Sequence, residues 1–283
     1  MPTYSQADNQ VCPHLTVRRS LTKLTQAERL RFFDAHRRLN DPNASRPNRL
    51  DYLVHKHGLF HDHIHEGAII FPWHRAFLAE YQHAIHRIDP LADVPYWEWS
   101  DGGLYPERQP VFQAAPSWLG GNGQGLHNCV QTGAFANMVV FYTEHHFSEG
   151  VPQCLRRQFD KGEAMSTWTE SRALRRWMHL APTYAQFREF FEPPHWLVHT
   201  SIGGDMDSRY APNDLLFFLH HAYMDKLWDE WMQMEPTRYT EYNGELKDGT
   251  PVHPDDYIAG FDGLQVKAIL DPAKHATLCY VYA

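Results

Sequence analysis

Apolar residues recur with the three-to-four spacing of an amphipathic α-helix in five segments of the chain. Thr25 and Glu28 form a capping-box pair at the start of the first segment. Gly58 is a helix stop after the second, and Pro72 is a helix-start residue before the third. The predicted helices span residues 25–39, 49–57, 73–89, 184–199 and 213–233.

The segments between these helices contain many turn-forming residues and little strand pattern. Residues 100–160 are rich in Gly, Pro and polar side chains, which predicts long irregular loops of functional use. Pro193-Pro194 predicts a break in the 184–199 helix, because proline lacks a backbone N–H. Residues 277–282 resemble a strand. We therefore expect a mainly α fold with much loop, built as one domain over residues 1–283.

The composition narrows the functional classes. The net charge of -8 argues against nucleic acid and anionic membranes as partners. No apolar run approaches the roughly 18 residues that a membrane helix requires. The unusual features are 20 histidines, 9 tryptophans and an aromatic content of 14%. Because imidazole is the commonest metal ligand, this excess suggests a metal site or a pH switch.

The cysteines indicate the kind of cellular compartment in which the protein acts. The chain has four, at wide spacing and without a CxxC pair, which fits two disulfides in an oxidising compartment. Of the three possible pairings we favour Cys12–Cys279 and Cys129–Cys154, and the alternative is four free buried thiols. The first ten residues lack a basic segment followed by an apolar one, so we expect a secreted protein whose signal peptide is not in this chain.

Three groups of histidines stand out from the background. His65 and His74 flank an apolar segment, with His57 upstream. His195 and His199 have the i, i+4 spacing that places two rings on one helix face.

The third group is the pair His220-His221 inside the most apolar helix. Burying two imidazoles there is costly unless a metal binds them. Asp225 lies one turn later, where a carboxylate can accept the free N–H of a ligand imidazole.

The ligand chemistry indicates which metals fit. Imidazoles without cysteine or carboxylate favour copper or zinc over magnesium or calcium, and two clusters of three suggest two metals. The run HDHIHE at 61–66 is similar to zinc hydrolase motifs, but its Asp-His step is misplaced. A zinc hydrolase therefore remains an alternative at this point.

Four motifs resemble those of the type-3 copper proteins, the family of tyrosinases, catechol oxidases and haemocyanins. FPWHRAFLAEYQHAI (71–85) resembles the copper-A signature, and PYWEW (95–99) is similar to the family's PYWDW. HWLVHTSIGGDM (195–206) and PNDLLFFLHHAYMDKLWDEW (212–231) resemble the two copper-B segments. The resemblance implies a four-helix bundle that holds two copper ions.

Carried over position by position, the resemblance implies six ligands. Those of copper A would be His57, His65 and His74, and those of copper B would be His195, His199 and His221. His220 and His63 would be neighbours of the ligands. His63 stands where many family members carry a cysteine that is linked to a ligand.

The resemblance also implies catalytic residues and an activity. Glu192 matches a water-holding glutamate, whereas Trp196 replaces the asparagine expected after the first copper-B ligand. Arg209 would line the entrance and favour carboxylated phenols. Because indole cannot accept a hydrogen bond, we expect O2-dependent oxidation of o-diphenols to o-quinones, with weaker hydroxylation of monophenols. The alternative within the same family is an oxygen carrier. The resemblance leads us to expect a core domain without a C-terminal lid domain.

Overall fold

Six α-helices carry most of the regular structure in the computed structural model, which describes residues 12, 14–41, 43–142, 151–276 and 278–283. The helices are α1 (Gln26–Leu39), α2 (Arg49–Ile64), α3 (Ile70–His86), α4 (Ser171–Leu180), α5 (Tyr184–Ile202) and α6 (Leu215–Gln233). The strands are β1 (Thr16–Arg18), β2 (Val139–Val140), β3 (Gln153–Cys154) and β4 (Tyr280–Tyr282). The predicted mainly α fold class is confirmed.

The strands form two small sheets that fasten distant segments. β1 pairs in parallel with β4, and β2 pairs antiparallel with β3. The predicted strand at 277–282 is present as β4, while Thr277 lies outside the described residues. Cys12 is bonded to Cys279 and Cys129 to Cys154, so both favoured disulfide pairings are confirmed.

The second predicted helix is longer than its sequence suggests. We expected it to end at Gly58, but α2 continues to Ile64. The glycine has another function there, since a Cβ at this position would lie 2.6 Å from the ring of Tyr210. Gly58 therefore permits close packing and does not stop the helix, and the extension brings His61 onto the same helix as His57.

The predicted break in α5 is also wrong, because the helix runs through both prolines without interruption. Pro193 and Pro194 deprive the carbonyls of Glu189 and Phe190 of their helical donors. Those two residues are exposed and half-buried, so water can replace the missing donors. The continuous helix keeps Glu192, which precedes the prolines, in a fixed position relative to His195 and His199, which follow them.

The other helix boundaries shift by a few residues. The capping box at Thr25 and Glu28 is present and begins α1. α3 begins at Ile70, before the predicted start, because a proline in the first turn costs no hydrogen bond. The described part of 100–160 is irregular apart from short turns and β2 and β3, as predicted.

α3 and α6 form the centre of the molecule. Every residue from Ile70 to Gln82 in α3, and from Leu215 to Asp225 in α6, is buried. A helix that is apolar on all sides must lie inside the protein, and these two pack against α1, α2 and α5. In the described part of the chain, no helix has the length and apolarity needed to cross a membrane.

Candidate metal centre

Three buried histidines meet between α2 and α3. His57 lies within α2, His65 directly follows its last turn, and His74 lies within α3. Each offers a ring nitrogen, and these nitrogens lie within 4.8 Å of one another. This set, called group A below, contains the three residues predicted for copper A.

Four buried histidines of α5 and α6 form the second set, group B. They are His195, His199, His220 and His221, whose nearest ring nitrogens also lie within 4.8 Å of one another. The Nε2 atom of His221 is 3.4 Å from that of His195 and 3.3 Å from that of His199. Three Nε2 atoms therefore converge on one point.

Backbone carbonyls fix the orientation of four of these rings. Because a carbonyl oxygen only accepts hydrogen bonds, the Nδ1 atom of each ring must carry the proton, and Nε2 is left free to bind a metal. Nδ1–H donates from His57 to Arg209 O (2.7 Å), from His65 to His61 O (2.8 Å), from His74 to Ile70 O (2.7 Å) and from His199 to Met206 O (2.7 Å).

The donor set fits two copper ions. Nε2 of His57 and of His74 is buried and has no partner among the described residues. Burial lowers the pKa of His74 to about 3 and that of His199 to about 4, so the imidazoles are neutral, the form that binds a metal. Neither group contains a carboxylate or a cysteine. Buried, neutral nitrogen donors of this kind suit copper.

The two groups face each other across a narrow gap. The rings of His74 and His221, one from each group, stack with their centroids 4.0 Å apart. Phe217 lies beside both groups, with its ring centroid 4.9 Å from that of His57 and 4.3 Å from that of His221. Two ions held by these groups would be close neighbours, with an apolar wall on one side.

His220 belongs to group B by distance, although the sequence assigns it a neighbouring position. Its two ring nitrogens are buried without a partner among the described residues. Its ring stacks on that of His195 at 5.1 Å and also lies near Trp99. His221, in contrast, contacts group A through His74, so it is the member of the pair that lies between the two sets.

The expected role of Asp225 is wrong. Its carboxylate accepts hydrogen bonds from Arg75 Nε (2.6 Å) and from the hydroxyls of Tyr282 (2.6 Å) and Tyr280, and its recorded partners include no imidazole. The side chain therefore ties α6 to α3 and β4. Backbone carbonyls orient four of the ligand rings instead, a feature that sequence spacing cannot reveal.

The placement of His63 beside the ligands is also wrong, because the side chain is exposed. His61 takes this place, with its ring centroid 4.6 Å from that of His65. The backbone carbonyl of His61 accepts the Nδ1–H of His65. The i, i+4 spacing of His61 and His65 could have identified this neighbour.

Glu192 lies three residues before His195 on α5 and is only 8% exposed. One carboxylate oxygen, Oε2, accepts a hydrogen bond from Arg188 at 2.6 Å. The other, Oε1, is buried without a partner among the described residues. Burial raises the pKa of Glu192, and the charge of Arg188 opposes this effect. The backbone N–H of Glu66 also lowers this pKa, so the buried carboxylate lies between Arg188 and Glu66, about one helical turn before His195.

Trp196 is half-buried at the mouth of the site. Its ring centroid lies 5.2 Å from that of His65 and 5.4 Å from that of His195, so the indole contacts both groups. A cavity of about 130 Å³ opens here. The residues around it include Trp196, His61, Asp207 and Arg209. The guanidinium of Arg209 lies 3.7 Å from the carboxylate of Asp62, which offsets its charge.

Comparison with known proteins identifies the family. The family model described as the common central domain of tyrosinase matches residues 32–234. The chain belongs to the tyrosinase family. It is 30% identical over 287 residues to a tyrosinase from Streptomyces antibioticus, a match that covers 93% of this chain and 99% of that relative.

Solved structures share the fold. A variant of polyphenol oxidase from Thermothelomyces thermophila superposes with a TM-score of 0.81 at 24% identity, covering 95% of this chain and 89% of the other. A haemocyanin from Rapana thomasiana has a TM-score of 0.62 at 20% identity, covering 95% and 69%.

The family membership assigns the cofactor and the class of reaction. The protein is a tyrosinase-type oxidoreductase, and its cofactor is a pair of copper ions, as the resemblance implied. The zinc hydrolase alternative is thereby set aside. The family acts on phenolic substrates with O2.

Proposed function

We propose that this protein oxidises o-diphenols to o-quinones with O2, and that o-hydroxylation of monophenols is a slower activity. The observation that carries the proposal is Trp196, which lies at the mouth against both histidine groups. The reaction balances as two catechols and one O2 giving two quinones and two waters. The whole chain, residues 1–283, is proposed to act as one domain.

We propose His57, His65 and His74 as the ligands of one copper ion, and His195, His199 and His221 as those of the other. When bound, the copper pair supplies the redox equivalents and the Lewis acidity for the oxidation. The carbonyls of His61, Ile70, Arg209 and Met206 hold four of these rings in one tautomer and orientation. This arrangement limits the reorganisation needed at each metal.

Trp196 is proposed to orient the substrate and to limit its range. An indole face stacks on a flat phenol, and its exclusion of water protects the site. Its Nε1–H only donates, so Trp196 cannot help a carboxylate hold a basic water for proton removal from a monophenol. Glu192 can still hold a water at Oε1. Catechols need this assistance less than monophenols, whose hydroxyl pKa is near 10.

The two disulfides support a proposal about where the protein acts. Two disulfides join distant parts of the chain, and such bonds persist in oxidising surroundings. We propose that the protein acts outside the cell.

Paired monophenols and catechols with the same side chain test the proposed activity on the copper-loaded protein. We expect fast quinone formation from each catechol and a rate at least tenfold lower, with a lag, from its monophenol. Equal rates would overturn the proposed preference. Reversible O2 binding without quinone formation would instead indicate an oxygen carrier.

Copper content tests the ligand set independently of activity. His221→Asn is expected to lose about one copper per chain, whereas the matched variant His220→Asn is expected to keep two. Loss of copper from His220→Asn alone would reverse the assignment of the pair.

A further inference from the structure

A second cavity lies apart from the histidine groups. It has a volume of about 810 Å³ and lies where the C-terminal ends of α1 and α3 meet the start of α2. His83, on its wall, follows His74 by nine residues along α3, a rise of about 13 Å. The residues that line this cavity, called the α1–α3 cleft below, include none of the histidines of groups A and B.

The lining of the α1–α3 cleft is cationic, although the protein carries a net charge of -8. Three arginines, Arg38, Arg49 and Arg87, line it together with one carboxylate, Glu80. Both oxygens of Glu80 are already occupied, because Arg49 donates to one at 2.8 Å and Lys56 to the other at 2.8 Å. The charge of this carboxylate is thus compensated locally.

Two guanidinium groups of the cleft have no such compensation. Arg38 and Arg87 are exposed, and neither side chain has an ion pair or a hydrogen bond recorded among the described residues. Basic residues at helix ends stabilise the helix dipole, which accounts for their position along α1 and α3. It does not account for their lining the same concave surface.

The floor of the cleft is apolar. Leu39 and Ala84 are buried there, and Ile88 and Pro47 continue the surface. Burial, followed by the charges of His86 and Arg87, lowers the pKa of His83, so its neutral ring adds a hydrogen-bonding group without charge. A volume of several hundred Å³, an apolar floor and a few polar groups are typical of small-molecule sites.

We propose that the α1–α3 cleft binds a small organic anion with a flat apolar body, whose anionic group pairs with Arg38 and Arg87. The apolar body lies on Leu39, Ala84 and Ile88. Arginine suits this function, because its fork of N–H donors matches carboxylate and sulfonate oxygens. The site is separate from the one that binds the phenolic substrate.

Calorimetric titration of the copper-loaded protein tests the proposal with two probes of the same shape. The anionic probe is 2-naphthalenesulfonate, and the neutral one is 2-naphthalenesulfonamide. We expect one sulfonate per chain, an affinity at least tenfold above that for the sulfonamide, and weakening at higher salt concentration. Absence of saturable sulfonate binding would overturn the proposal.

Variants locate the bound probe. Arg38→Gln and Arg87→Gln are each expected to weaken sulfonate binding three- to tenfold, and together more than tenfold. The matched control Arg175→Gln, an exposed arginine of α4, is expected to bind within twofold of the wild type. Far-ultraviolet circular dichroism confirms folding of every variant.

A second control separates the cleft from the copper site. Trp196→Ala opens the mouth of the copper site and is expected to leave sulfonate binding unchanged. If Trp196→Ala abolishes binding while the double arginine variant retains it, the sulfonate binds at the copper site and the proposed cleft site is wrong.

Discussion

Trp196 is the residue of the site that departs most clearly from the family pattern. It stands where the resemblance predicts asparagine, and the structure places its indole against both histidine groups. An amide can accept a hydrogen bond from a water that Glu192 holds, whereas an indole cannot. We therefore propose that the difference between a donor and an acceptor at this position decides how well a monophenol is deprotonated.

Trp196→Asn is expected to raise monophenol turnover selectively, by about tenfold, which corresponds to roughly 1.4 kcal/mol of barrier. Catechol turnover is expected to change less than threefold, because catechols need less help with proton removal. The measurement is the ratio of the two rates for one matched substrate pair. The control Trp196→Phe keeps an aromatic ring without an acceptor, and its ratio should stay near that of the wild type. If the ratio of the two rates in Trp196→Asn equals that of the wild type, this explanation is contradicted.

Asp205 is a second residue whose surroundings make a measurable prediction. It is 1% exposed and accepts a hydrogen bond from the backbone N–H of Arg156 at 2.7 Å. Burial raises its pKa from 3.8 to about 7. A carboxyl with a raised folded-state pKa favours folding in its protonated form, so that contribution is lost as pH rises from about 4 through about 7.

Asp205→Asn cannot ionise, so its free energy of unfolding should fall less between pH 5 and pH 8 than that of the wild type. The difference is expected to be on the order of 3 kcal/mol, and urea unfolding at both pH values measures it. Asp101→Asn, at an exposed turn, is the control. An identical decline in Asp205→Asn and wild type would show that Asp205 does not titrate in this range.

At the scale of elements, α2 and α5 show where sequence rules fail. Gly58 and Pro193-Pro194 are strong breakers by local propensity, yet both helices continue through them. Relative to alanine, glycine inside a helix costs about 1 kcal/mol and proline costs about 3 kcal/mol. The stabilisation from packing a buried helix face can be larger than these costs. The continuations matter for the site, because they place His65 at the end of α2 and keep Glu192 on the same helix as His195 and His199.

Gly58→Ala tests the packing explanation. The substitution gains about 1 kcal/mol of helix propensity but places a methyl group against the Tyr210 ring, so we expect a net loss of about 1 kcal/mol. In a Tyr210→Ala background the same substitution should stabilise the protein. Denaturant unfolding of the four proteins in this cycle gives both values. The same sign in both backgrounds would contradict the close contact.

At the scale of the whole molecule, the two chain ends are joined near the core. β1 pairs with β4, and Asp225 receives hydrogen bonds from Tyr280 and Tyr282 while it pairs with Arg75 of α3. The Cys12–Cys279 disulfide closes a sequence separation of 267 residues beside this network. Closing so long a segment restricts the unfolded chain more than closing a short one.

Replacement of Cys12 and Cys279 by serine is therefore expected to lower the free energy of unfolding by about 5 kcal/mol, against about 3 kcal/mol for Cys129 and Cys154. The sequence separation is 267 residues for Cys12–Cys279 and 25 residues for Cys129–Cys154. Thermal unfolding of the two double variants, with copper bound, shows which variant loses more stability. A larger loss for the Cys129–Cys154 pair would contradict the entropic explanation.

The sequence alone determined the features that depend on local pattern and residue chemistry. Hydrophobic periodicity predicted the mainly α fold and the approximate positions of five helices. Histidine spacing together with the family motifs predicted the groups around His74 and His199, and the number and spacing of the cysteines led to both disulfides. These features could be predicted because periodicity and ligand preference depend on residue type and on spacing along the sequence.

Only the tertiary structure decided what depends on distant contacts. The ring of Tyr210 explains Gly58, and the hydrogen bonds of Arg75 and two tyrosines assign Asp225 a structural role. The carbonyls of Met206 and Arg209 orient ligand rings from other segments. The cationic α1–α3 cleft joins residues far apart in the chain. Packing and burial set these contacts, and sequence spacing contains no record of either.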